Sequence, residues 1–223
     1  MKAMILSAGM GTRMGPLTTK TPKPLLKIGN QTLLEIQLNK LIQAGVNEFL
    51  INVSYFGNQI IEFVSSKYKN SANLDIQFSE ENQPLETAGG IINALDFFDD
   101  SPFLVTNADI FTDFDYSLLL KHKLSADVSA FLILVPNPEF KIVGDYGLEG
   151  NKLSFTKDFT YSGIGIFRKE MFQGFKKGEK IKLKSILDDY ILNNKIDGSL
   201  YHGYWSDIGT AKRLEFENNK NDN

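Results

Sequence analysis

The sequence predicts an α/β protein: a Rossmann-like three-layer sandwich with a central mixed, mostly parallel sheet between helices. Three observations predict it. Short apolar runs alternate with helix-period segments through the first half of the chain. A glycine loop follows directly on the first of those runs. The rhythm then changes to a hairpin and further strands that extend the same sheet.

Lys2–Ser7 reads as a short buried strand that enters the glycine loop. Between Leu33 and Ala44, the residues Leu34, Leu38, Leu41 and Ile42 fall on one helix face, and Gly45 ends the helix. Glu48–Val53 is a second strand. Asn58–Tyr68 is a second helix, with Ile60, Ile61 and Val64 on one side. Leu74–Ser79 forms a third strand, Ala88–Phe98 a helix, and Phe103–Asp109 a fourth strand. Beyond these come a strand at Val128–Val135, a hairpin turning at Gly150-Asn151, and a strand at Tyr161–Phe167. A helix at Lys184–Leu192, a strand at Leu200–Trp205 and a closing helix at Thr210–Asn218 complete the order. With no repeat and no linker, residues 1–217 are expected to form a single domain, and residues 218–223 a disordered tail.

Composition narrows the chemistry. The chain has no cysteine, which excludes disulfides and thiolate metal sites and favours a reducing compartment. His122 and His202 are the only histidines, too few for a histidine-rich metal site. No apolar run approaches the roughly 20 residues of a membrane span. The apolar start is too short for a secretory leader and ends in glycines, so a cytoplasmic protein is expected, with no membrane partner. A pI near 5.5 argues against a nucleic-acid partner. Yet Lys2, Arg13, Lys20, Lys23 and Lys27 all precede the first acid, Glu35, in a chain of formal net charge −3. Positive charge confined to one Gly/Pro-rich segment points to a small anion held in one place.

A glycine loop after a first strand has two common uses. The dinucleotide fingerprint fails here, because Met14 stands at the third glycine and the second strand ends in Asn52-Val53-Ser54 without an acid. The Walker pattern fails because no Gly-Lys-Ser/Thr follows. A different pattern is complete: Gly9, Gly11, Thr12 and Arg13 as G-x-G-T-R, Pro16, Leu17 and Thr18 as P-L-T, and Pro22, Lys23, Pro24 and Leu25 as P-K-P-L. This run resembles the signature of the sugar-1-phosphate nucleotidylyltransferases.

The resemblance implies a glycosyltransferase-A-like nucleotidyltransferase fold. It implies Mg²⁺-dependent transfer of a nucleoside monophosphate from an NTP to a sugar 1-phosphate, releasing pyrophosphate. Ala8, Gly9, Gly11, Thr12 and Arg13 would then hold the triphosphate, and Lys23 would reach the phosphates of the reacting pair. Arg13 and Lys23 become the candidate catalytic residues. The flanking prolines restrict the backbone on either side of Lys23.

Asp109 lies just past an apolar strand, at the sheet edge where ligands of open α/β folds bind. An acid there often only caps a helix, a job that Asp113 or Asp115 can also do. The resemblance makes Asp109 a metal ligand and supplies Asp207, in W-S-D-I-G-T, as the second. On its own, D-I-G-T reads as a turn with Thr210 as N-cap. Asn107-Ala108-Asp109 departs from the usual N-G-D by a methyl group.

Glu80–Gly90 reads either as an acidic loop capped by Thr87 or, by resemblance, as the reader of the nucleobase through Gln83, Glu86 and Gly89. For the sugar, the resemblance supplies Asn107, Gly144, Asp145 and Ser162. Lys157 stands for a phosphate contact, within Thr156-Lys157-Asp158 where Glu-Lys-Pro is common. The branch resembled implies UTP and N-acetylmuramic acid 1-phosphate, a step of cell-wall recycling. GTP with a mannose or heptose 1-phosphate is the alternative. A non-catalytic relative that binds nucleotide sugars as a regulatory subunit is a third reading. Such relatives commonly lack the Arg, the Lys or one metal-binding Asp, and all four stand here.

Overall fold

The computed structural model describes residues 1–221. Chain order is β1 (Ala3–Leu6), β2 (Lys27–Ile28), β3 (Gln31–Thr32), α1 (Leu33–Ala44), β4 (Glu48–Val53), α2 (Gly57–Lys67), β5 (Asp75–Glu80) and α3 (Glu86–Asn93). It continues with β6 (Phe103–Asn107), β7 (Ile110–Thr112), α4 (Ser117–Lys121), β8 (Ala130–Pro136), β9 (Tyr146–Glu149) and β10 (Lys152–Phe167). The last elements are α5 (Leu183–Leu192), β11 (Ile196–Leu200), β12 (Trp205–Asp207) and α6 (Ala211–Asn221).

The main sheet has the order β11-β8-β10-β6-β1-β4-β5, with β9 paired to β10. Strands β6, β1, β4 and β5 form a parallel block, and β8 and β11 pair in parallel as well. Each antiparallel pairing in this sheet involves β10. The mixed, mostly parallel α/β sheet expected from the sequence is therefore present.

Both faces of the central strands β1, β4 and β6 are buried, as parallel strands require. On β1, Met4 points into one core cluster while Ala3 and Ile5 point into the other; on β4, Leu50 opposes Phe49 and Ile51 in the same way. The Met4 layer is closed by α3 and α5 through Ala88, Ile91, Leu183 and Leu187. The Ile5 layer is closed by α1, α2 and α4 through Leu38, Ile60 and Leu119. A third cluster joins Met14 of the glycine loop to Leu33, Ile36, Ile208 and Leu214. It ties the N-terminal loop to α1 and α6, and so to the turn after Asp207.

Four expectations need correction. The strand placed at Leu200–Trp205 splits into β11 before it and β12 at its end. Gly198 lies in the middle of β11, where a Cβ would stand 2.5 Å from Leu153 Cδ1, and it interrupts the apolar pattern of that strand. Tyr161–Phe167 is only the end of the 16-residue β10, whose register shifts between Tyr161 and Ile164. The helix at Ala88–Phe98 begins at Glu86 and ends at Asn93, with a 3-10 turn at Leu95–Phe97. The expected tail does not begin at Asn218. Helix α6 continues to Asn221, and the Asn218 side chain bonds Gly29 N at 2.8 Å and Lys27 O at 3.1 Å. Residues 222–223 of that expected tail lie outside the described residues.

Candidate active site

The glycine loop leaves β1 at the carboxyl edge of the parallel block. Gly11 adopts φ +62°, where L side chains are strained, and a Cβ there would stand 3.0 Å from both Lys23 Cβ and Thr18 Cγ2. Thr18 Oγ1 donates to Gly11 O at 3.0 Å, and Met14 N donates to the same carbonyl at 2.9 Å. The tight turn thus brings Lys23 against the loop. A Cβ on Gly9 would meet nothing within 4 Å, so its backbone faces open space.

Two adjoining cavities open here, of about 560 and about 410 Å³, a size range typical of small-molecule sites. The first is lined by Ala8, Gly9, Gly11, Thr12 and Lys23 of the loop, together with Asn52, Glu81 and Leu85. The second is lined by Asp145, Tyr161, Ser162, Trp205 and Asp207. Arg13, Glu86, Thr87, Asn107 and Asp109 line both and mark their junction.

Asp109 and Asp207 are far apart in sequence and adjacent in space. Strands β7 and β12 form an antiparallel two-stranded ribbon in which Asp207 faces Ile110, the neighbour of Asp109. Ile208 N donates to Asp109 O at 2.8 Å. The Ile110 carbonyl accepts from Gln37 Nε2, and Gln37 Oε1 accepts from the Tyr116 hydroxyl at 2.8 Å. Gln37 is fully buried on α1, so this network fixes the ribbon from beneath. Burial also pushes the Tyr116 phenol up from its usual range. Each carboxylate faces a cation: Lys23 Nζ on Asp109 and Arg213 on Asp207. The Arg213 guanidinium is stacked 4.0 Å from the centroid of the Phe140 ring, which lines the second cavity.

A profile of the nucleotidyl transferase family matches residues 2–148. The N-acetylmuramate alpha-1-phosphate uridylyltransferase of Neisseria meningitidis serogroup B is 39% identical to this chain, over 96% of each. The chain belongs to the nucleotidyl transferase family. The mannose-1-phosphate guanyltransferase of Hypocrea jecorina is 30% identical over 95% of this chain, which spans 62% of that protein's length. In fold, HddC from Yersinia pseudotuberculosis superposes with a TM-score of 0.79, covering 98% of both chains at 23% identity.

Within this family member, the donor chemistry fits a hard divalent cation. Such an ion takes one or two protein carboxylates and completes its shell with substrate oxygens and water. Asp109, in the turn just before β7, and Asp207 on β12 would supply that pair. Among the described residues no group of three or more His, Cys, Asp or Glu side chains stands ready to hold a metal alone.

Of the residues named from the sequence, Ala8, Gly9, Gly11, Thr12, Arg13, Lys23, Glu86, Asn107, Asp109, Asp145, Ser162 and Asp207 line one or both cavities. Gln83, Gly89, Gly144 and Lys157 line neither. Gly89 packs α3 against the 179–181 segment, where a Cβ would lie 2.4 Å from Glu179 O, and its N–H donates to Ile181 O. Gly144 serves a similar close approach to Phe159 O, at 2.3 Å from a Cβ built there. Lys157 is exposed at φ +61° in a bulge of β10, with its side chain away from the cavities. Thr87 lies within α3 and does not cap it. Asp115 closes a turn at the start of α4, accepting from Ser117 N at 2.9 Å, while Tyr116 holds the N-cap position without a side-chain cap.

The sequence reading missed Ser7, Asn52, Glu81 and Arg213. Glu81 accepts from Asn52 Nδ2 at 2.7 Å and from Leu85 N at 2.9 Å. Burial nevertheless pushes its carboxyl up from the ordinary range, outweighing those two bonds. The Ser7 hydroxyl is buried beside the first cavity with no hydrogen-bond partner among the described residues. None of the four sits in a motif that the sequence signature contains. The signal for Arg213 was its place three residues after Thr210, whose Oγ1 accepts from Arg213 N at 3.3 Å.

Proposed function

We propose that the chain joins UTP to N-acetylmuramic acid 1-phosphate, giving UDP-N-acetylmuramic acid and pyrophosphate, with Mg²⁺ as the divalent ion. One observation carries this reading: two cavities meet where Arg13, Lys23, Asp109 and Asp207 converge. The 39% identity to the Neisseria uridylyltransferase over nearly the full length supports the choice of substrates.

The nucleotide occupies the larger cavity, with its phosphates toward the glycine loop and Arg13. The sugar phosphate occupies the smaller one and meets the α-phosphate at the junction. A non-bridging oxygen of the sugar phosphate forms a bond to the α-phosphorus. The bond from that phosphorus to the bridging oxygen breaks, and pyrophosphate leaves with the electron pair. The sugar phosphate is already ionised near neutral pH, so no protein base is required. What the protein must supply is positioning and charge neutralisation between two anions. Arg13 steadies the leaving pyrophosphate and Lys23 offsets charge between the reactants. Asp109 and Asp207 would hold Mg²⁺, which supplies Lewis-acid polarisation of phosphoryl oxygens when bound. Asn107, Asp145 and Ser162 offer hydrogen bonds to the sugar hydroxyls, and Glu86 borders both ligands.

The test is a panel of UTP, GTP, CTP and dTTP crossed with N-acetylmuramic acid, N-acetylglucosamine, glucose and mannose 1-phosphates, read as pyrophosphate release. UTP with N-acetylmuramic acid 1-phosphate is expected to give the highest kcat/KM. A maximum at GTP with mannose 1-phosphate would replace this substrate pair.

A further inference from the structure

We infer that Lys182 and Lys184, at the start of α5, bind a carboxylate on the sugar and so select an acidic sugar 1-phosphate over its neutral counterpart. The inference rests on the substrate reading above and deepens it. Both lysines line the second cavity and neither lines the first. The anion they face is therefore on the sugar side of the junction and is not part of the triphosphate.

Charge in the second cavity is otherwise matched locally. Asp109 faces Lys23, Asp207 faces Arg213, and Asp145 accepts from Lys141 Nζ at 2.5 Å. Glu86 is the remaining acid and Arg13 the remaining cation apart from the two lysines, and both stand at the junction. Lys182 is exposed and has no ion pair with any described residue. Lys184 pairs with Asp188 at 2.7 Å, one turn further along α5, and Asp188 does not line the cavity. The ammonium of Lys184 also sits 5.1 Å from the Tyr146 ring centroid, and Tyr146 donates to Asp188 at 3.0 Å. That scaffold holds the Lys184 stem beside the cavity; two of its three N–H donors go to the Asp188 carboxylate and one is left for a ligand. No side chain caps the N-terminus of α5, so its positive end reinforces the two lysines.

The apolar lining fits the same ligand class. Leu183 and Leu187 of α5 and Trp205 of β12 line the same cavity. N-acetylmuramic acid differs from N-acetylglucosamine only by a lactyl ether, which is a methyl group next to a carboxylate. An apolar wall carrying two ammonium groups complements that substituent and gives the neutral sugar nothing to pair with.

The experiment measures KM for N-acetylmuramic acid 1-phosphate, and Ki for N-acetylglucosamine 1-phosphate as its competitor, in wild type and in Lys182→Ala, Lys184→Ala and the double variant. The double variant is expected to raise that KM about ten- to hundredfold, the worth of a hydrogen bond to a charged group. The rise in Ki should be at least tenfold smaller, and Lys182→Arg with Lys184→Arg should recover most of the loss. Equal losses for both sugars would assign the lysines to the shared phosphate and overturn the inference while leaving the substrate pair intact. No change for either sugar would also overturn it. A wild type that does not turn over N-acetylmuramic acid 1-phosphate would overturn both the substrate pair and the inference.

Discussion

Lys23 stands between Pro22 and Pro24 with its side chain 11% exposed and its ammonium on Asp109. A cation held this firmly costs no reorganisation when charge develops on the reacting phosphates. Lys23→Ala is expected to lower kcat about 10²-fold or more, in the range seen when one preorganised charge-stabilising donor is lost. Steady-state pyrophosphate release checks it, and a kcat within a few-fold of wild type would contradict the role. At this scale the sequence was informative wherever residue type and backbone demand coincide. Gly11 is needed for φ +62° and for the approach of Lys23, and both are encoded in one short run. Glu86 was legible as a site residue but not as a strained one; it holds φ +65° at the start of α3 and borders both cavities. Gly89 and Gly144 misled because a glycine that lets backbone pack on backbone looks, in sequence, like one that lets a ligand approach.

The ribbon of β7 and β12 is the element that makes the site, since it brings Asp207 beside Asp109. Its strands have three residues each, too short for any alternation to register, and their partners are far apart in the chain. The long helices were readable because several turns repeat one apolar face, as Leu34, Leu38 and Leu41 do on α1. What sequence could not give is the polar residue on that buried face. Gln37 points inward, bonds the Ile110 carbonyl and receives the Tyr116 hydroxyl, which in turn lies 3.1 Å from Thr106 Oγ1. Replacing it by leucine removes the Gln37 bond from the buried Ile110 carbonyl and leaves the Tyr116 hydroxyl with Thr106 alone. Gln37→Leu is expected to cost about 1–3 kcal/mol, lowering the melting temperature by several degrees in a chain of this size. Thermal unfolding followed by circular dichroism measures it. An unchanged melting temperature would show that the ribbon does not depend on α1.

For the whole molecule, the parallel block was legible from alternating strands and helices, and its two buried faces match the apolar runs that predicted it. The second half was harder to read. Strand β10 crosses between β6 and β8 with two register shifts, and a bulged strand has no steady period to detect. The unevenness of charge was the other global clue. A chain of net −3 places its first five cations ahead of any acid, and folding turns two of them, Arg13 and Lys23, toward Asp109 and its cavities. The far end of the chain contributes Asp207 and Arg213 to the same place, which only the folded topology can arrange.

Chain-wide convergence of those charges is the central claim, and one measurement tests it most directly. Pyrophosphate release from UTP and N-acetylmuramic acid 1-phosphate is followed with Mg²⁺ and with excess EDTA, for wild type, Asp109→Asn and Asp207→Asn. Release is expected to require the metal, and each variant should lose about 10²-fold or more at fixed Mg²⁺. Release that persists in EDTA, or that survives in both asparagine variants at near wild-type rate, would contradict the account.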